Sequence, residues 1–146
     1  QQPVLATILR AGLPMHNGLL NYFDKADNSF ISAYRKHHPD DSFEICLEYM
    51  SCPSLDNRII IIADPMLATG GTLVAAFNFL IERGASEITA ICLLAAPEGI
   101  KVLEDAFKNS GVPITLVTGS LDEKLNEKGY IVPGLGDAGD RLYGVV

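Results

Sequence analysis

Three short, mostly apolar runs punctuate the chain: Val4 to Leu9, Ile59 to Ala63 and Ile88 to Ala95. Each is β-branched-rich, too short for a core helix and bounded by turn residues. That is the signature of strands buried on both faces of a parallel sheet. Between them the period changes. Leu73, Ala76, Phe77, Leu80 and Ile81 repeat at helical spacing with Gly84 as a stop, and weaker helical stripes run from about Pro14 to Phe23 and from about Glu98 to Asn109, the last ended by Gly111. "PITLVTG" reads as a further strand. Strand and helix thus alternate, and the expected fold class is α/β, a mostly parallel central sheet flanked by helices. Ser29 to Tyr34 and Phe43 to Tyr49 alternate partially around the polar segment "RKHHPDD", which predicts a hairpin or arm with an exposed tip rather than a core crossover. The tail "YIVPGLGDAGDRLYG" has too many glycines and too little periodicity to predict a helix.

The isoleucine run ends on Asp64 and opens into Pro65, Met66, Leu67, Ala68, Thr69, Gly70, Gly71 and Thr72. In an open α/β sheet the carboxyl ends of the strands face ligands, and a loop of small residues feeding a helix presents backbone N–H groups to an anion. Two readings are open: a phosphate cradle, or an ordinary strand-to-helix connection in which Thr69 or Thr72 caps the helix. No Walker-type lysine follows the glycines, which disfavours a nucleoside triphosphate site. Gly134, Gly136 and Gly139 satisfy G-x-G-x-x-G literally, but without the helix and the distant acid that dinucleotide binding requires.

Composition narrows the function classes. Eleven Lys+Arg against eighteen Asp+Glu leave a formal charge of −7, so non-specific binding to nucleic acid or to an anionic membrane is not expected. Cys46, Cys52 and Cys92 lack metal-type spacing and are expected to be reduced thiols in a cytoplasmic protein. A chain of 146 residues suits one domain, 1–146, and its start at Gln1 gives the expectation that it is a piece of a longer protein lacking an amino-terminal part.

Three segments, in order, carry a resemblance. "IIIIADPMLATGGT" resembles the ribose-phosphate loop of the phosphoribosyltransferases, with Pro65 where most of them have a second acid. "ILRAGLPM" is similar to the pyrophosphate loop, and "YIVPGLGDAGDR" to the uracil loop, of the uracil phosphoribosyltransferase family. The resemblance spans Val4 to Gly144. It implies transfer of the phosphoribosyl group from 5-phosphoribosyl diphosphate (PRPP) to N1 of uracil, giving UMP and diphosphate, on a fold with a β-arm and a carboxy-terminal hood over the base.

The same resemblance implies the site. Arg10, Ala11 and Gly12 would meet the diphosphate, through a non-proline cis peptide in that loop, and Arg35 on a mobile tip would reach it on closure. Asp64 would accept the ribose hydroxyls, with Pro65 to Thr72 around the 5-phosphate. Ile131, Gly136 and Ala138 would read uracil through backbone groups. Asp137 would serve the PRPP side or act as general base. Catalytic roles fall to Asp64, Asp137 and Arg35; Lys36, His37 and His38 are given none, and Arg141 is the only cation expected near the tail. Mg²⁺ is implied on PRPP itself, with no protein-only metal site. A homo-oligomer, dimer or tetramer, is implied for the full-length protein, with GTP as a possible effector. Two rivals stay open: the same reaction on another base, or an RNA-binding regulator, which would need a basic face that −7 does not suggest.

Overall fold

The computed structural model describes residues 1–145. The apolar runs form parallel strands β1 (Val4–Leu9), β4 (Ile59–Ala63), β6 (Glu87–Ala95) and β7 (Ile114–Leu121). β2 (Asp27–His37) and β3 (Phe43–Ser51) extend the sheet beyond β1, and β5 (Met66–Leu67) continues the β4 edge of β6, so that the strands lie in the order β3-β2-β1-β4-β6-β7. Among the described residues four helices complete the α/β fold: α1 (Leu13–Leu20), α2 (Gly71–Glu82), α3 (Pro97–Phe107) and a short α4 (Ala138–Tyr143). β8 (Lys124–Leu125) and β9 (Ile131–Val132) pair antiparallel as a small separate sheet, the base of a hood.

The core lies where the helical stripe predicts it. Leu73, Ala76, Phe77 and Leu80 of α2 are buried against Ile60, Ile62, Ile88 and Ala90, and the Phe77 and Phe107 rings meet 5.3 Å apart to join α2 to α3. Gly84, at φ +93°, ends α2 in a backbone conformation that side chains resist.

Four expectations need correction. The Ile59–Ile62 run is not buried on both faces: Ile59 is 48% exposed, as are Leu93 and Val117 at 49%, because one face of β4, β6 and β7 lacks a covering layer among the described residues. The hairpin is also more than an arm. Its first half pairs parallel with β1 from Asp27 to Ser32, burying Ser29 and Ile31, and only beyond the irregularity at Ser32/Ala33 does β2 extend outward with β3. A bulge that re-aims one half of a strand leaves little trace in residue alternation. The tail does form a helix, α4, since the Asp137 carboxylate accepts the Asp140 N–H at 2.8 Å and so starts it. The G-x-G-x-x-G segment therefore does meet a helix, but one of six residues after an antiparallel pair, not the parallel βαβ unit of a dinucleotide site. Finally, neither Thr69 nor Thr72 caps α2; its cap is Gly70, at φ +88°, with no side-chain hydrogen bond.

Gly12 shows how tightly the sheet's carboxyl edge is assembled. A Cβ there would lie 2.2 Å from Thr7 Oγ1, 2.7 Å from Ile8 O and 2.9 Å from Ala63 O. Two of these are backbone atoms that cannot swing away. Gly12→Ala is expected to cost about 2 kcal/mol by overpacking, read as a lower midpoint in urea denaturation; an unchanged midpoint would show that the loop gives way freely.

Candidate active site

Parallel pairing in register brings the loops after β1 and β4 side by side, with Thr7 opposite Ala63, and β2 carries Arg35 alongside. The hood closes over them. Between lies a cleft of about 370 Å³ whose floor is Ala11, Asp64, Pro65, Met66 and Ala68, and whose roof is Tyr130, Ile131, Gly136, Asp137 and Ala138. A recess of about 120 Å³ continues it over Leu67, Thr69, Gly70 and Thr72. Arg35, Asp64, Met66 and Ala68 line both, so the two spaces share a wall.

Asp64 sits at their junction. Its main chain still follows the sheet, the N–H donating to Ile91 O at 3.1 Å, before Pro65 breaks the ladder and β5 resumes it. Loss of hydration pushes its carboxyl up to about 7, against a smaller opposing pull from the Met66 N–H. The neighbouring Cys92 thiol, raised to about 12 by burial and then by the Asp64 charge, stays protonated. A carboxylate held short of its preferred hydration gains most from partners that donate hydrogen bonds to it.

The recess has the form a phosphate needs. Its wall is the entry to α2, where Gly70 and Thr72 line it, and the positive end of the helix dipole lies there. Gly70 is required for another reason as well: a Cβ would meet Gly99 O and Val102 at 3.1 Å, and the φ is left-handed. Gly71 packs under Ile45 of the arm, 3.2 Å from where a Cβ would stand, and lies behind the recess rather than in its lining. Leu67 is 1% exposed and serves mainly as core.

Arg35 is not on a loop tip. It lies in the β2 ladder opposite Ile45, its guanidinium 4.9 Å over the Phe43 ring, while the turn itself is made by His38 to Ser42. Lys36 and His38 both face Glu44 at 3.7 Å, and His37 packs on Phe43. The Leu9–Arg10 peptide is cis, as the resemblance implies. The Arg10 guanidinium stacks 5.3 Å from the Tyr143 ring, near Gly139, on the α4 side of the rim and outside the cleft lining. Gly12 holds strands together, as above, and lines neither space.

Sequence reading missed Lys128, Gly129 and Tyr130, which line the cleft from the hood. The Asn126 side chain accepts the N–H groups of Lys128 and Tyr130 at 2.9 and 3.0 Å, and this turn lies against the phosphate loop, Gly129 facing Thr69 Cγ2. Lys128 is therefore a second cation near the tail, whereas Arg141 donates to Leu135 O within it. Asn-x-x-Gly between two short strands signalled the turn; nothing in the sequence signalled where it docks.

The fold is shared with a purine phosphoribosyltransferase from Pyrococcus horikoshii, which superposes with a TM-score of 0.59 over 84% of this chain and 75% of its own, at 19% identity, a likeness of fold alone. The family model for uracil phosphoribosyltransferase matches residues 1–145, and the chain belongs to that family. It is similar to the uracil phosphoribosyltransferase of Nocardioides sp., 51% identical over 146 residues, covering 99% of this chain and 67% of the relative. That of Streptomyces griseus is 49% identical over 144 residues, with 98% and 66% covered. A solved structure from Aquifex aeolicus superposes with a TM-score of 0.87 at 41% identity, covering 97% of this chain and 65% of that one. The chain thus spans about two thirds of the length of these relatives.

Proposed function

We propose that this chain, as a single domain over 1–146, transfers the phosphoribosyl group of PRPP to N1 of uracil, giving UMP and diphosphate. The observation that carries the reading is the shared wall at Asp64, which joins a small recess of about 120 Å³ to a cleft of about 370 Å³ with room for a base and a diphosphate. Ribose belongs at that junction, with its hydroxyls donating to the Asp64 carboxylate, its 5-phosphate over Ala68 to Thr72, and its anomeric carbon toward the roof.

Arg35 then faces the diphosphate from β2, and Arg10 and Ala11 approach it from the loop after β1. Uracil's O2, N3–H and O4 meet backbone groups of Ile131, Gly136 and Ala138. Asp137, already holding Asp140 N–H through Oδ1, serves the PRPP side, or takes the N1 proton through its other oxygen. As the glycosidic bond to diphosphate lengthens, positive charge grows on the ribose and negative charge on the leaving group, so cations placed ahead of time give the acceleration.

No group of three or more His, Cys, Asp or Glu among the described residues is placed to hold a metal; the oxygens of Asp64 and Asp137 suit Mg²⁺ through water, with PRPP as its main ligand. When bound it neutralises diphosphate charge. The three unpaired thiols suit a cytoplasmic location; among the described residues no helix is long and apolar enough to cross a membrane. Half-exposed Ile59, Leu93 and Val117 support a homo-oligomer as the working form. GTP as effector rests on family resemblance alone.

A calorimetric titration with PRPP tests the reading: saturable binding is expected, and none would remove it. Because Arg35 stands on a strand, Arg35→Ala is expected to weaken PRPP binding as well as turnover, lowering kcat/KM for PRPP by about a hundred-fold. Unchanged kcat and KM would leave Arg35 as a solvated arginine stacked on Phe43.

A further inference from the structure

We propose that Asp122 is a positioning residue for base recognition, tying the loop that reads the base to the carboxyl end of the central sheet. The inference rests on the functional reading above. Asp122 follows β7 directly, and its N–H donates to Ala95 O at 2.9 Å, where β6 ends. Its side chain is anchored by Ser120 Oγ at 3.3 Å and accepts the Gly134 N–H at 3.0 Å. Among the hydrogen bonds of the described residues, this is the one that leaves the segment 133–145; the others, Asp140 to Asp137, Arg141 to Asp137 and Leu135, and Gly144 to Asp140, stay inside it.

Gly134 is where that bond has leverage. At φ +50° the chain folds back so closely that a Cβ would stand 2.1 Å from Ile131 O. The bond therefore bears on the spacing, along the roof of the cleft, between Ile131, whose side chain is buried, and Gly136 and Ala138. Those are the two ends of the donor and acceptor array that must match uracil's edge. Without the Asp122 acceptor the loop keeps its internal bonds and moves as a unit. The phosphate recess, built from the loop after β4 and from α2, does not depend on it.

The test uses two ligands that do not react with each other, UMP and ribose 5-phosphate, titrated by calorimetry into the wild-type chain and into Asp122→Ala, Asp122→Asn and Asp122→Glu. Asp122→Ala is expected to weaken UMP at least ten-fold while ribose 5-phosphate changes less than two-fold, the size expected for a small misplacement of recognition groups. Asp122→Asn keeps an acceptor in place and is expected to restore UMP affinity to within about three-fold. Asp122→Glu keeps the charge but shifts the acceptor by a methylene, and is expected to behave like Asp122→Ala; it decides the question if the alanine variant does not fold. Unchanged UMP affinity, or equal losses for both ligands, overturns the role of Asp122. Failure of the wild type to bind either ligand overturns the functional reading instead.

Discussion

Asp64→Asn is expected to lower kcat/KM for PRPP by a hundred-fold or more and, at pH 8, to raise the thermal midpoint of the unliganded protein. The first effect follows from replacing an acceptor-only carboxylate facing two hydroxyls by an amide, when hydrogen bonds to a charged group contribute about 1.5–3 kcal/mol each. The second follows from its carboxyl being raised to about 7 in the folded protein by loss of hydration. The unfolded chain gives up this proton near its ordinary value of about 4. Above that pH the unfolded state holds fewer protons than the folded one, so this group's contribution to stability falls as pH rises, and the loss is complete above about 7. The full shift corresponds to about 4 kcal/mol, and water reaching the carboxyl from the cleft reduces the realised cost to about 2 kcal/mol. Thermal unfolding of both proteins at pH 4, 6 and 8 checks this: the gap between variant and wild type should widen with pH. The wild-type kcat/KM for PRPP should rise with pH through about 7 as the carboxylate forms. A variant of lower stability at pH 8 would show that Asp64 is held as a structural anion.

Base choice is the second large effect. On the proposed reading, backbone groups of Ile131, Gly136 and Ala138 offer a fixed order of donors and acceptors that uracil's O2, N3–H and O4 complement. Cytosine inverts that order at two neighbouring positions, leaving buried site groups unpaired, which typically costs about four powers of ten in kcat/KM. Orotate adds a carboxylate beside N1. Arg141, the cation within the tail, is turned to Leu135 O and is not committed to that carboxylate. Purines are larger than uracil and present a different edge to that array. Initial rates with cytosine, orotate and hypoxanthine at saturating PRPP should each fall at least a thousand-fold below uracil. A rate for cytosine within ten-fold would mean that side chains, not the backbone array, select the base.

The parts of this protein legible in sequence are those fixed locally. The Ile59–Ala63 strand, its end at Asp64, the glycine-rich entry to α2 and the stripe of Leu73, Ala76, Phe77 and Leu80 all follow from period and turn chemistry, and the structure has them where they were expected. What was not legible depends on register or docking. Arg35 passed for a loop residue because the β2–β3 ladder continues through polar positions as far as His37 and Phe43. Lys128 and Tyr130 gave no signal because an ordinary surface turn becomes cleft wall only when the hood packs on the phosphate loop. α4 was hidden by its glycines, Gly136 before its start and Gly139 inside it, while its start depends on one Asp137 hydrogen bond. Asp122 looked like any polar residue after a strand.

The most direct test of the central claim is product analysis after incubating the chain with PRPP, Mg²⁺ and an equimolar mixture of uracil, cytosine, orotate and hypoxanthine, quantifying each nucleotide and the diphosphate released. The expected result is UMP and diphosphate in equal amounts, with the other three bases untouched. Orotidine or inosine monophosphate formed in amounts equal to or above UMP, or PRPP consumed without any nucleotide appearing, would contradict it.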